Sequence, residues 1–255
     1  MDTAPGVRRR GTSPWNSNRM TQTDQSIRRT AVVIGASRGI GAATARRLLA
    51  EGYKVAGTHR AGGQIPDGVV PVELDIRDET SIKDGMRTAL DELGRLDVLV
   101  IASGITRDTL LMRMSEGDLV EVLRVNTIGP ILASKAALRP MLKQRSGSIV
   151  LLSSMSVKYG VPGQTNYTAS KGAIEAFARS LAREHAQQGI RVNVVAPGAT
   201  DTDMMSNMPE AEREAMVEEI PLKRLGHVDE IAAAIVHTAE NTYMSGAVVQ
   251  VGGGL

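Results

Sequence analysis

Short aliphatic runs alternate with longer amphipathic stretches from residue 30 to the end of the chain. The runs TAVVI (30–34), YKVAGT (53–58), VVPVEL (69–74), LDVLVIA (96–102), GSIVLLS (147–153), IRVNVVA (190–196) and GAVVQV (246–251) have the length and β-branched content of buried strands. Between them the apolar positions recur at helical spacing. Helices are expected over 39–52, 78–94, about 115–125, 127–144, 166–189 and near 227–240. Asp78 is placed to cap the second of these and Gly94 to stop it. Continuous apolar strands interleaved with helices predict one parallel sheet covered on both faces. Right-handed crossovers make it a doubly wound α/β domain of seven strands, a Rossmann-type fold, with no repeat and no second domain.

Residues 1–28 break this pattern. They are polar, aperiodic and rich in Arg, and are expected to form a disordered arm preceding a domain at 29–255. Met20 is a candidate alternative start. Six Arg against two Asp give residues 1–29 a charge of +4, whereas the whole chain carries +2, so the body is mildly acidic at −2. The arm reads as a solvated tail, and no nucleic-acid partner is expected of a body with neither a dense basic face nor stacking aromatics. Aromatics are 2% of the chain against 42% apolar residues, so the core must be aliphatic. The chain has no Cys, which excludes disulfides, thiolate catalysis and Cys-bound zinc. Its four His (His59, His185, His227, His237) show no metal-ligand spacing, and no metal site is expected. No apolar run approaches the ~18 residues of a membrane span, so a cytoplasmic protein is expected.

The first strand runs into IGASRGIG and then a helix. Gly35, Gly39 and Gly41 allow a tight turn there, and Ser37, Arg38 and Ile40 bring backbone N–H groups toward an anion at the helix N-terminus, as dinucleotide loops require. NAD-binding loops carry an acid about 20 residues further on. Here the second strand ends Thr58-His59-Arg60. With Arg38 in the turn, two guanidiniums near the adenosine ribose favour a 2′-phosphate, hence NADPH/NADP+. Asp75, followed by Ile76, is either an acceptor for the adenine amino group or an Asx-turn residue.

Tyr167 and Lys171 stand four residues apart on the expected helix 166–189 and so share a face. A phenol of pKa ~10 is a poor proton donor near neutrality, and an adjacent ammonium is expected to lower it. Ser154 lies thirteen residues before Tyr167, after the fifth strand. This Tyr-x-x-x-Lys with its upstream Ser resembles the short-chain dehydrogenase/reductase family over about 30–255. The resemblance implies a tetrad of Asn126, Ser154, Tyr167 and Lys171, with Ser154 holding the substrate carbonyl and Asn126 supporting a proton-relay water. It implies cofactor contacts from Gly104, Pro197, Gly198, Thr200 and Thr202 besides the glycine turn, and a mobile substrate lid at about 203–222, where Met204, Met205 and Met208 are candidate pocket residues. Two motifs depart from the family pattern: Ile101-Ala102-Ser103-Gly104 replaces Asn-Asn-Ala-Gly, removing a side chain that braces the sheet, and the chain ends VGGGL.

Within the family, GITRDTLLMRMS (104–115), TNYTASKGAIEAFARSLARE (165–184) and VAPGATDTDM (195–204) resemble 3-oxoacyl-[acyl-carrier-protein] reductases. This implies an acyl carrier protein as partner, in fatty-acid or polyketide synthesis, and a homotetramer. Arg113, Lys143 and Arg145 are either a basic docking patch or ordinary solvated charges, and Leu111-Met112-Arg113-Met114 either belongs to this reductase pattern or merely packs between a loop and neighbouring helices. Reduction of a free ketone and a non-catalytic NADP-sensing role remain the alternatives.

Overall fold

The computed structural model describes residues 28–203 and 208–255. The expected arm, apart from Arg28, and Met204 and Met205 lie outside the described residues. Seven parallel strands form one sheet in the order β3-β2-β1-β4-β5-β6-β7. They are β1 (Thr30–Ile34), β2 (Lys54–His59), β3 (Val70–Glu73), β4 (Val98–Ile101), β5 (Gly147–Leu152), β6 (Ile190–Pro197) and β7 (Val248–Val251). The helices are α1 (Gly39–Ala50), α2 (Glu79–Leu93), α3 (Glu116–Leu123), α4 (Gly129–Gln144), α5 (Ser156–Tyr159), α6 (Thr165–His185), α7 (Glu210–Glu219) and α8 (Val228–Glu240). The fold class is the Rossmann-type α/β arrangement that the strand–helix alternation predicts.

Alternation along each strand divides the core into two layers. Val32 and Ile34 of β1 pack with Met86 of α2, Ala133 and Met141 of α4, and Ile174 of α6. Ala31 and Val33 face the other way, onto Leu48 of α1 and Ile231 and Ile235 of α8. The order reverses between β1 and β4, the switch point at which open α/β sheets bind ligands beyond their carboxyl ends. The turns after β1, β4, β5 and β6 converge there. Among the described residues no helix is long and apolar enough to cross a membrane.

The two helices expected at about 115–125 and 127–144 are one run. A π turn at Arg124–Ile128 joins α3 to α4, with the Gly129 N–H donating to the Arg124 carbonyl. Pro130 explains it: lacking an N–H, it cannot donate to the Asn126 carbonyl four residues back, so the helical ladder shifts instead of ending. Gly129 then lies against the chain leaving β3, where a Cβ would stand 2.4 Å from the Ile76 carbonyl oxygen and 2.5 Å from its Cγ1. Gly129→Ala should destabilise the protein by about 1–3 kcal/mol, read as a melting temperature lowered by roughly 2–4 °C per kcal/mol. An unchanged melting temperature would show that this contact yields without cost.

Candidate active site

The glycine turn is held by its neighbours before any cofactor is considered. The Gly35 N–H donates to Thr58 Oγ1 at 3.1 Å, and the Ala36 N–H donates to the Thr58 carbonyl at 3.0 Å. Gly35 has φ +85, and a Cβ there would stand 2.9 Å from the Ser103 nitrogen. A Cβ on Gly41 would fall 2.0 Å from the Gly35 carbonyl oxygen and 3.3 Å from Ala102 Cβ. The turn, α1 and the β4 exit therefore pack backbone on backbone. This compensates for the missing brace of the variant motif: Ala102 is small enough to sit on Gly41, and Ile101 joins the core. Ser103 Oγ is buried there without a protein hydrogen-bond partner.

The loop suits a dinucleotide. Arg38 precedes α1 in extended backbone, no side chain caps the helix, and its first turn holds no acid, so its N-terminal N–H groups face outward toward an anion. Gly39 has φ +53, and a Cβ on it would meet only Thr202, at 3.7 Å from Cγ2. Thr202 thus stands across the turn from Gly39 at the start of α1. Ser37 is exposed, and Ile40 is partly buried against the core. Pro197 ends β6; the Thr200 hydroxyl donates to the Gly198 carbonyl at 3.0 Å, shaping the turn that presents Thr202.

At the adenosine end, Arg38 Nη1 is 3.6 Å from Asp203 Oδ2 in an exposed ion pair, which holds only weakly. Asp75 takes the Asx-turn role, accepting from the Arg77 N–H at 2.9 Å, with the Arg77 guanidinium gripping it at 2.5 Å. Arg77 chiefly, with Arg60 contributing at longer range, holds the Asp75 carboxyl below its ordinary pKa. Ile76 turns its side chain into the core, and its carbonyl lies against Gly129.

At the carboxyl ends of β4 and β5 the tetrad residues come together. Asn126, in the π turn, is 1% exposed. Its Nδ2 donates to the Ile105 carbonyl at 2.9 Å and to Ser170 Oγ at 3.1 Å, and its Oδ1 accepts from the Ile105 N–H at 2.9 Å. The side chain braces the Gly104–Ile105 turn, and the main-chain carbonyl lacks its α-helical donor because of Pro130. A Cβ on Gly104 would lie 3.4 Å from Asn126 Oδ1 and 3.5 Å from Lys171 Nζ, so glycine leaves room beside these two buried groups.

Lys171 is buried, and its Nζ donates to the Leu152 carbonyl at 2.9 Å. Burial brings its pKa down to about 8. Tyr167 follows a different rule from the one expected. Burial raises its phenol above the ordinary value, and the counterweight is a hydrogen bond from Ser154, not Lys171, whose Nζ lies 5.6 Å from the ring centroid. Ser154 Oγ also accepts from the Ser156 N–H at 3.2 Å, which orients it. A phenol, a hydroxyl and an ammonium then line one cleft beside the open glycine turn. This set can hold a carbonyl oxygen, donate a proton to it, and hold the ribose of a nicotinamide nucleotide whose C4 supplies a hydride.

Leu111 and Met112 are 68% and 100% exposed, on a 3₁₀ turn that also exposes Arg113, so the packing alternative for this segment does not hold.

The sign of the Lys171 shift gives a test. Its pKa is lower folded than unfolded, so between about 8 and the unfolded value the unfolded chain binds more protons, and stability rises with pH. Lys171→Met should therefore stabilise the cofactor-free protein at neutral pH by up to about 3 kcal/mol, less a constant loss from the freed Leu152 carbonyl. The stability difference from wild type should shrink as pH rises toward 10.5. A difference independent of pH would mean Lys171 is not desolvated.

Known proteins carry the same pattern. The short chain dehydrogenase family pattern matches residues 29–213. A 3-oxoacyl-[acyl-carrier-protein] reductase MabA of Mycobacterium avium is 38% identical over 231 residues, covering 90% of each chain. The FabG reductase of Vibrio harveyi is 39% identical, covering 88% of this chain and 96% of its own. The human 3-oxoacyl-[acyl-carrier-protein] reductase is 40% identical with the same coverages. The solved structure of gox2181 superposes with a TM-score of 0.83 at 30% identity, over 89% of this chain and 95% of that one. Both the glycine turn and the Tyr167–Lys171 helix fall within the matched span, and the chain belongs to the short-chain dehydrogenase family of oxidoreductases, which use a nicotinamide cofactor.

Proposed function

We propose that this protein is an NADPH-dependent reductase of 3-oxoacyl thioesters carried on acyl carrier protein, forming the 3-hydroxyacyl thioester. The supporting observation is the Ser154–Tyr167–Lys171 cleft opening beside a glycine turn whose second strand ends in Arg60 with no acid. Relatives near two-fifths identity that bear the 3-oxoacyl reductase name direct the substrate choice.

When bound, NADPH would supply the hydride that the substrate carbonyl carbon accepts. Ser154 and Tyr167 hold the carbonyl oxygen, and Tyr167 donates the proton as alkoxide character grows. Lys171, cationic near neutrality, orients the cofactor ribose, while Ser154 favours the phenolate left on Tyr167. The Asn126 carbonyl, freed by Pro130, anchors the water through which that proton is replaced. Glycine at 35, 39, 41 and 104 and Thr202 hold the dinucleotide. Arg60 binds the 2′-phosphate, and Arg38 joins it by leaving Asp203. The segment 203–222, including α7, serves as the substrate lid. The exposed Arg113, Lys143 and Arg145 supply positive charge for an acidic carrier. Partly exposed β7, at the sheet edge, and the apolar Val120 and Ile128 suit the two-fold contacts of a homotetramer.

NADPH oxidation with an acetoacetyl thioester tests the reading. Turnover with NADPH well above that with NADH supports it; turnover only on free ketones overturns the substrate assignment. Tyr167→Phe should lower kcat by roughly 10²–10⁴-fold while retaining NADPH binding, and wild-type-like turnover would refute the proton donor. Arg60→Ala should weaken NADPH about tenfold to a hundredfold and leave NADH nearly unchanged. Equal weakening of both would show that Arg60 does not read the phosphate.

A further inference from the structure

Three residues on one stripe of α6 hold three consecutive residues leaving β5. Ser154 stands near enough to Tyr167 to favour its phenolate, Lys171 Nζ donates to the Leu152 carbonyl at 2.9 Å, and Glu175 Oε1 accepts from Ser153 Oγ at 2.8 Å. Their spacing of four residues puts them on successive turns of one helix face. The first two belong to the site already described. The third, Glu175–Ser153, does not touch the cleft.

Its setting is that of a built contact. Ser153 is 4% exposed, and its N–H extends the ladder to the Val195 carbonyl at 2.9 Å. Its hydroxyl has one proton to give. The Lys171 carbonyl lies at 3.5 Å, whereas the Glu175 carboxylate is much closer. The Glu175 side chain is 14% exposed, and its other oxygen is 3.9 Å from Arg179 on the solvent side. A hydrogen bond to a carboxylate is stronger and shorter than one between neutral groups. The residue after Ser153 is Ser154, whose hydroxyl must meet both the Tyr167 phenol and a substrate oxygen.

We propose that Glu175 is a positioning residue: through Ser153 it fixes how deeply Ser154 projects toward Tyr167, completing a register between α6 and the β5 exit. The inference rests on the reductase reading above, because it assigns Glu175 an effect on the Ser154–Tyr167 step. A slack register at Ser153 spares the cofactor site, since that site is built from the β1 turn and the turns after β4 and β6, together with Lys171, which keeps its own bond to the Leu152 carbonyl. It loosens only the alignment of the proton-donating pair, and sub-ångström misalignment of reacting groups is costly in rate.

The test compares wild type, Glu175→Ala, Glu175→Gln and Arg179→Ala with NADPH and the carbonyl substrate that wild type reduces fastest. Glu175→Ala should lower kcat about tenfold to a hundredfold, with NADPH affinity held within about twofold and melting temperature little changed. Glu175→Gln keeps an oxygen acceptor for Ser153 and should recover most of that loss, while Arg179→Ala should behave as wild type. Ser153→Ala should reproduce Glu175→Ala, and the double variant should be no slower than either single one. A folded Glu175→Ala with wild-type kcat overturns the proposal. So does a fall in kcat matched by equal losses of NADPH affinity and stability, the signature of a purely structural residue, or a Glu175→Gln variant as slow as Glu175→Ala. If wild type reduces no carbonyl compound, the reductase reading fails instead, and the two failures are thereby distinguished.

Discussion

A buried ammonium organises the catalytic end of this molecule. Lys171 sits inside α6 at the carboxyl edge of the sheet, with the Leu152 carbonyl as its hydrogen-bond partner. Removing a cation from water is expensive, and one carbonyl dipole offsets part of that cost. The rest shows as a pKa brought down to about 8. The group therefore remains a cation near neutrality while standing close to its own titration, which suits it to a site where a neighbouring phenol gives up a proton. Holding it there requires α6 to lie along the β5 exit in one register, and that register also sets Ser154 against Tyr167.

The cofactor end depends on a different constraint, the closeness of backbones. The glycine turn, α1 and the β4 exit pack so tightly that a Cβ on Gly41 or Gly35 would collide with main-chain atoms. That closeness explains how the chain tolerates Ile101-Ala102 in place of the Asn-Asn of the family pattern. Ala102 fits against Gly41, and Ile101 adds apolar contact to the larger core layer. The two ends meet at Gly104, whose missing side chain leaves room beside the buried Asn126 and Lys171.

Features set by local sequence are those that composition and spacing reveal. All seven strands fall within the expected runs, apart from a one-residue extension to His59 and to Pro197, because each is a short aliphatic segment bounded by turn residues. Tyr167 and Lys171 share a face because four residues make one helical turn. What spacing does not reveal is who partners whom across the fold. The π turn follows from Pro130, yet only the intact helix around it distinguishes a shifted ladder from a break. Asn126 is spent on Ile105 and Ser170, Arg38 on Asp203, and Glu175 on Ser153, and each pairing joins residues from separate elements. Asp75 is the converse case, a local turn residue whose partner Arg77 lies two positions on. The expected influence of Lys171 on Tyr167 gave way to burial and Ser154, since the ammonium is aimed at Leu152.

The central claim is that the cleft delivers a hydride to a 3-oxoacyl carbonyl and Tyr167 completes the reduction. The most direct measurement uses NADPH carrying deuterium at both C4 positions, a 3-oxoacyl thioester on acyl carrier protein, and mass spectrometry of the acyl product. One deuterium at carbon 3 of a 3-hydroxyacyl thioester, formed by wild type and lost in Tyr167→Phe, is the predicted result. An unlabelled product, or labelled product formed equally well without the Tyr167 hydroxyl, would contradict the account.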